Sequence, residues 1–271
     1  MWWCPTGAFT ELPLHAAGVY DGPDQDCLAN YVVSSYTPTI SALINAQEQM
    51  GTTDSDVDNV LVVSVPEPVG HSSLPNALVE ADLVRCAVPS NCLNVLSRSQ
   101  ASISNVLQNL PDAAVFHMAC HGHQSQDDPL TSGFSLHDGR LKLEQLMQIH
   151  LSTAKLAYLS ACETASTDEW QPDEAINLAS TMLFVGFKSV IATMWYVVWS
   201  EISMRGAAEL MIRSMDDLDG PFIAERVYRA IFREGKLNLA AVPHALDAAV
   251  RELRETGAHP SRWATYVHIG A

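Results

Sequence analysis

Two short segments hold the side chains best suited to chemistry: VFHMACHGH, residues 115–123, and KLAYLSACET, residues 155–164. Each opens with an apolar run that predicts a buried strand and closes in small or polar residues, so each delivers a reactive group where a strand stops. Those groups are His121 and Cys162. A free thiol near pKa 8.5 is mostly protonated at neutral pH, and a neighbouring imidazole or dipole raises its thiolate fraction. A base and a thiol on neighbouring strand ends are therefore the minimum parts for nucleophilic attack on an acyl carbon, and cysteine-peptidase chemistry is the first expectation. Gly122 follows the histidine and has no Cβ, so its backbone can come close to a ligand. The N–H groups of Gly122 and Cys162 are the candidate donors to a developing oxyanion.

Taken alone, the same residues admit a bland reading, in which Cys162 is a packed small hydrophobe and His121 a capped strand-end imidazole. His117, Cys120, His121 and His123 raise zinc, but strand alternation sends His117 and His121 to one face and Cys120 to the other, and no second cysteine pair is present. Cys120 reads as a buried neighbour, and His15 as a hydrogen-bonded structural histidine. Ser160 shares the nucleophile's face of its strand and is a candidate pocket residue. Ser64, near the end of the first clear strand, is a further candidate. Asp173 and Glu174 are explained by helix starting after Pro172, since proline presets the first turn and carboxylates suit the positive end of the dipole.

Positioning these groups takes a parallel sheet covered by helices, and from residue 59 onward apolar runs alternate with amphipathic stretches in that pattern. Strands are expected at 60–65, 94–96, 114–119, 156–161 and 189–193, with helices at 75–85, 101–110, 143–149 and 174–184. Three further helices are expected at 201–215, 222–233 and 243–255, then a strand at 263–269. Residues 34–49 read as a short strand and a helix. Polar loops at 124–131 and 165–171 follow the histidine and cysteine strands. Both rise at the sheet edge where open α/β sheets place their sites, and both could act as switch elements.

The chain has 271 residues with 48% hydrophobic content, enough for one sizeable α/β domain. Its net charge of −16, with 15 Lys and Arg, disfavours nucleic acid and anionic membrane surfaces as partners. Six cysteines without a CxxC spacing fit reduced thiols in a cytoplasmic setting better than a disulfide framework. The N-terminus has neither a basic start nor an apolar h-region, and no apolar run reaches membrane-spanning length. The aromatic opening at Trp2 and Trp3 suggests the C-terminal part of a longer multidomain protein. A nucleotide-binding domain is disfavoured, because VVSVPEPVG has prolines where a glycine cradle would follow the first strand.

HMACHG (117–122), LSACET (159–164), ATMW (192–195) and LPLHAAG (12–18) occur in one order and spacing, and together they resemble the CHAT domain, the caspase-like peptidase module related to separases. The resemblance runs from Trp2 to the closing YVHIG. It implies a single domain over residues 1–271 with an α/β fold, a caspase-like three-layer sandwich whose mostly parallel central sheet is flanked by helices. It also implies His121 as general base and Cys162 as nucleophile of an endopeptidase that needs no cofactor or metal. Such a module would cleave a specific protein substrate as the effector of a larger protein with helical-repeat or nucleotide-binding regulatory regions. The competing expectation is a catalytically idle scaffold for protein–protein interaction, against which the retention of both His121 and Cys162 argues. One departure matters. The family usually has an acidic residue four positions after the residue matching Trp195, and in separases it receives a substrate arginine. Here Trp199 stands there, and an apolar ring cannot neutralise a guanidinium, so an apolar or small side chain is expected on the acyl side of the scissile bond.

Overall fold

The computed structural model describes residues 1–10, 12–20, 26–49, 58–68, 70–123, 125, 128–149, 151–160, 178–194 and 218–271. The chain opens with β1 (Trp2–Trp3), the short antiparallel pair β2 (Gly18–Val19) and β3 (Asp26–Cys27), then β4 (Ser35–Tyr36) and α1 (Ile40–Gln49). Next come β5 (Val60–Ser64), α2 (Asn76–Ala87), β6 (Leu93–Ser97), α3 (Ile103–Asn109) and β7 (Val115–Ala119). A small sheet follows, built of β8 (His121–His123), β9 (Gly133–Leu136) and β10 (Gly139–Lys142), and it leads into α4 (Leu143–Leu146). The remaining elements are β11 (Leu156–Ser160), α5 (Leu178–Val185), β12 (Ser189–Thr193), α6 (Asp219–Ile231), the pair β13 (Phe232–Arg233) and β14 (Lys236–Leu237), α7 (Val242–Glu255), α8 (Pro260–Trp263) and β15 (Tyr266–Gly270).

The main sheet has eight strands in the order β1-β4-β15-β12-β11-β7-β5-β6, and every pairing in it is parallel except β12 with β15. Strand alternation divides its side chains between two cores. Leu61, Val63, Phe116, Met118, Ala157 and Leu159 pack with residues of α3, α4 and α5 on one face. Val60, Val62, Val115, Leu156 and Tyr158 pack with α2, α6, α7 and Trp263 on the other. This burial on both faces is why the central strands read as continuous apolar runs rather than alternating ones. The three-layer α/β sandwich expected from the sequence is the fold observed.

All five expected central strands are present, and each agrees within a residue or two. Several boundaries differ for local reasons. The sixth helix starts at Asp219 and its extension beyond Ile231 is taken by β13. Trp263 closes α8 instead of opening a strand, because Pro260 starts that turn and the His259 side chain caps it by accepting from Ser261 N–H. The β9–β10 hairpin lies between the expected loop at 124–131 and the expected helix at 143–149, a stretch with no expected element; its His137-Asp138 turn leads into Gly139 at φ +149, conformational space an L side chain rarely enters. The expected helix at 201–215, the first residues of that at 174–184, the loop at 165–171 and parts of the loop at 124–131 lie outside the described residues.

Candidate active site

His121 lies just beyond the end of β7, where the chain leaves the main sheet for the small one. Its ring is held by the loop between β5 and α2. There Leu74 N–H and the Ser73 hydroxyl both donate to the buried Pro66 carbonyl, at 2.7 and 3.2 Å, and fold the loop back over the sheet end. That turn aims the Ser72 carbonyl at His121 Nε2, 2.9 Å away, with the Ser72 hydroxyl at 3.4 Å from the same nitrogen. A carbonyl only accepts, so Nε2 carries the hydrogen and Nδ1 keeps its lone pair. His71, from the same loop, stacks on His121 with ring centroids 5.2 Å apart, and its Nε2 lies 3.2 Å from Ser135 Oγ on β9. The imidazole is thus fixed in both tautomer and tilt.

Behind the strand ends sits a buried polar cluster centred on Glu80 of α2, which is 3% exposed. Glu80 Oε2 accepts from the Ser160 hydroxyl at 2.9 Å, and Oε1 lies 3.1 Å from His117 Nε2. His117 is fully buried, with its Nδ1 3.2 Å from the Tyr228 hydroxyl of α6 and its ring stacked 4.7 Å from Tyr158. Burial first, and the Glu80 carboxylate second, push the Tyr228 hydroxyl well above the ordinary phenol range, so it stays a neutral donor. Gly220 opens α6 directly over this cluster: a Cβ there would stand 2.9 Å from Glu80 Oε2 and 3.2 Å from Ser160 Oγ. A glycine is needed for the helix to come so close.

The residues singled out in the sequence divide accordingly. His121 and Gly122 lie together in β8, half-buried, with Gly122 opposite Phe134 of β9. Ser160 ends β11, and its hydroxyl is committed to Glu80. Ser64 is fully buried and donates to the Ala77 carbonyl at 2.9 Å, so it anchors the start of α2 to β5 rather than facing a cleft. Cys162, Trp195 and Trp199 lie outside the described residues. Cys120 is buried in the core. His15 sits in a 3-10 turn with its Nδ1 2.8 Å from the Tyr36 hydroxyl. His117, grouped with His121 in the zinc arrangement, faces Glu80 and Tyr228 instead, because the chain changes sheets between the two histidines.

Sequence reasoning missed His71, Ser72 and Glu80. A signal for the first two was present: Gly70-His71-Ser72-Ser73 is a polar loop after the first central strand, so it rises at the same sheet edge as the loops after β7 and β11. Glu80 had none, since an acid in a mixed helical stretch reads as a solvated position.

The crystal structure of the Saccharomyces cerevisiae separase–securin complex at 2.6 Å resolution shares this architecture, with a TM-score of 0.59 and 14% identity over 88% of this chain and 14% of the other. The Arg-specific cysteine proteinase gingipain R matches with a TM-score of 0.57 and 11% identity, over 92% of this chain and 56% of that one. The chain thus spans about one seventh of the separase chain it matches. No curated protein sequence matches it. Among the described residues, no helix is long and apolar enough to cross a membrane. The two solved structures establish the caspase-like fold. The family model of the CHAT domain matches residues 1–271, and the chain belongs to that family.

Proposed function

We propose that this chain is a cysteine endopeptidase domain in which His121 serves Cys162. The observation that carries the reading is the Ser72 carbonyl on His121 Nε2, which leaves Nδ1 as a base aimed away from the loop that holds the ring. Register supports it. Ala119 of β7 pairs with Ser160 of β11, and His121 and Cys162 each follow their strand's paired residue by two positions. Neighbouring strands run about 4.8 Å apart, so the strand that leads to Cys162 ends beside the one that leads to His121, as a shared substrate carbonyl would require.

In this mechanism Nδ1 takes the thiol proton and the Cys162 sulfur attacks the peptide carbonyl carbon. The N–H groups of Gly122 and Cys162 receive the oxyanion. The protonated His121 then gives its proton to the departing amine, and water, deprotonated by the same nitrogen, releases the acyl group. The domain would act on a protein substrate in the cytoplasm as one module of a longer protein. Trp199 in place of an acid favours an apolar or small residue on the acyl side of the scissile bond.

A thiol-reactive peptide probe distinguishes this from a scaffold that keeps the fold for binding. Labelling of the wild-type protein is expected to disappear in Cys162→Ala and to fall steeply in His121→Ala. Equal labelling of wild type and Cys162→Ala sinks the enzyme reading. A cleavage profile dominated by Arg or Lys on the acyl side refutes the role given to Trp199.

A further inference from the structure

The small sheet beside His121 presents opposite chemistry on its two faces. Gly122 pairs with Phe134, and Phe134 with Leu141; the last two are fully buried in the core. Residues directly opposite in antiparallel strands share a face, as do residues two apart in one strand. The other face therefore carries His121 opposite Ser135 and Ser135 opposite Arg140, with His123 and Lys142 on either side of Gly133. His71 adds a third imidazole through its stack on His121. In a chain of net charge −16 with 15 Lys and Arg, this face gathers two of those cations and three of the ten histidines.

Counter-charge on this face is sparse among the described residues. Lys142 meets Glu144 at 3.2 Å. Asp138 is turned to Ile103 N–H and Asp128 to Leu130 N–H. The Nε of Arg140 is sealed from solvent with no hydrogen-bond partner among the described residues. Burial, then Arg140, then His71 hold the His123 imidazole below its usual pKa, which reports how close these cationic groups stand. Arg140 as a whole is only half-buried, and a partly desolvated guanidinium gains from an incoming carboxylate that pairs with its accessible edge.

We infer that this face is a subsite for an acidic side chain of the substrate, Asp or Glu, with Arg140 as its principal anchor and His123 beside it. The position along the substrate follows from the chemistry proposed above, on which this assignment rests. His121 protonates the departing amine, so the peptide C-terminal to the scissile bond lies on the histidine's side, against His71, His123 and Arg140. The acid belongs within the first few residues after the cut.

The test uses the Cys162→Ala protein, which removes turnover, and the fluorescein-labelled peptide amides Gly-Asp-Glu-Gly and Gly-Asn-Gln-Gly followed by anisotropy. The acidic peptide is expected to bind in preference to its amide counterpart, to lose about tenfold in affinity in Arg140→Gln and to keep most of it in Arg140→Lys. In the protein without the Arg140 substitution, the acidic peptide should also move the imidazole NMR signals of His121 and His123, which keeps the test valid should Arg140→Gln fold poorly. Equal binding of the two peptides, an unchanged affinity in a folded Arg140→Gln protein, or unmoved imidazole signals each overturn the subsite. A peptide-library digest by the protein with Cys162 intact separates this from the reading beneath it. Cys162-dependent cuts without acidic enrichment on their C-terminal side refute the subsite alone. Absence of Cys162-dependent cuts refutes the peptidase, and the binding experiment still decides whether the acidic site exists.

Discussion

Replacing Glu80 tests whether the buried cluster behind the strand ends supports the fold as its geometry implies. In Glu80→Ala the Ser160 hydroxyl loses its acceptor and His117 Nε2 loses the carboxylate 3.1 Å away. Each buried polar atom left unpaired costs about 1–3 kcal/mol. The void left by the missing carboxyethyl group adds on the order of 1 kcal/mol. The expected loss is therefore about 3–7 kcal/mol, which overlaps the range of about 3–5 kcal/mol found when one partner of a buried pair is removed. For a domain of this size that lowers Tm by about 10 °C. Glu80→Gln separates hydrogen bonding from charge. Its amide oxygen can accept from His117 Nε2–H and its NH2 can donate to the Ser160 hydroxyl oxygen, so a loss of about 1 kcal/mol is expected. Urea denaturation followed by far-UV circular dichroism, with thermal melts alongside, measures both variants. A Glu80→Ala protein within about 1 kcal/mol of wild type would falsify the structural role assigned to Glu80. Equal, large losses in both variants would show that the negative charge, rather than the hydrogen-bond pattern, holds the cluster.

Two further outcomes follow from buried groups. His268 of β15 lies between strands, with Nε2 2.8 Å from Ser189 Oγ and Nδ1 2.8 Å from Ser35 Oγ, and burial lowers its pKa to about 3. The unfolded chain then binds a proton that the folded one refuses, so this stability is complete above pH 6.5 and drains as the pH falls from there toward 3, at about 1.4 kcal/mol per pH unit. His268→Gln should reduce the slope of unfolding free energy against pH between 6 and 4 by about that amount, and an unaltered slope would count against a neutral buried His268. Asp219 is 2% exposed at the start of α6 and takes two hydrogen bonds from Arg262, at 2.9 Å from Nε and 2.6 Å from the terminal nitrogen. Arg262→Leu should cost about 3–5 kcal/mol in chemical denaturation by stranding that carboxylate, and Asp219→Asn in the same protein should recover part of it; a loss below about 1 kcal/mol refutes the pairing as a major contact.

The central sheet was legible because its strands are buried on both faces. Residues 60–64, 115–119 and 156–160 are short, near-continuous apolar runs of strand length, the form a strand buried on both faces takes. The edges were not legible: β1 and β4 are two residues each and exist because β15 and β12 pair nearby, which is tertiary context. The small sheet was missed although His137-Asp138-Gly139 between FSL and RLK is a hairpin signal, because HGH is too short to read as a separate strand until it has a partner. His121 itself was singled out by type and position. The features that give it a tautomer, the Ser72 carbonyl and the His71 ring, are loop atoms whose direction depends on the Pro66 turn, and no local pattern states that.

One element sets the geometry of both strand ends. α2 is tied to β5 through Ser64 and the Ala77 carbonyl, and the loop leading into it supplies the Ser72 carbonyl that orients His121. About one turn further along, Glu80 of the same helix holds Ser160 at the end of β11 and faces His117 of β7. His121 and the strand end that precedes Cys162 are therefore both referenced to one helix, a common frame that the proposed dyad would need to hold its groups in place. Loops that meet a substrate can then vary without moving the machinery. The proposed contacts fit that division: the specificity proposed for Trp199 and the acidic subsite proposed at Arg140 concern substrate contact, while the contacts that fix His121 and Ser160 come from α2 and its entry loop.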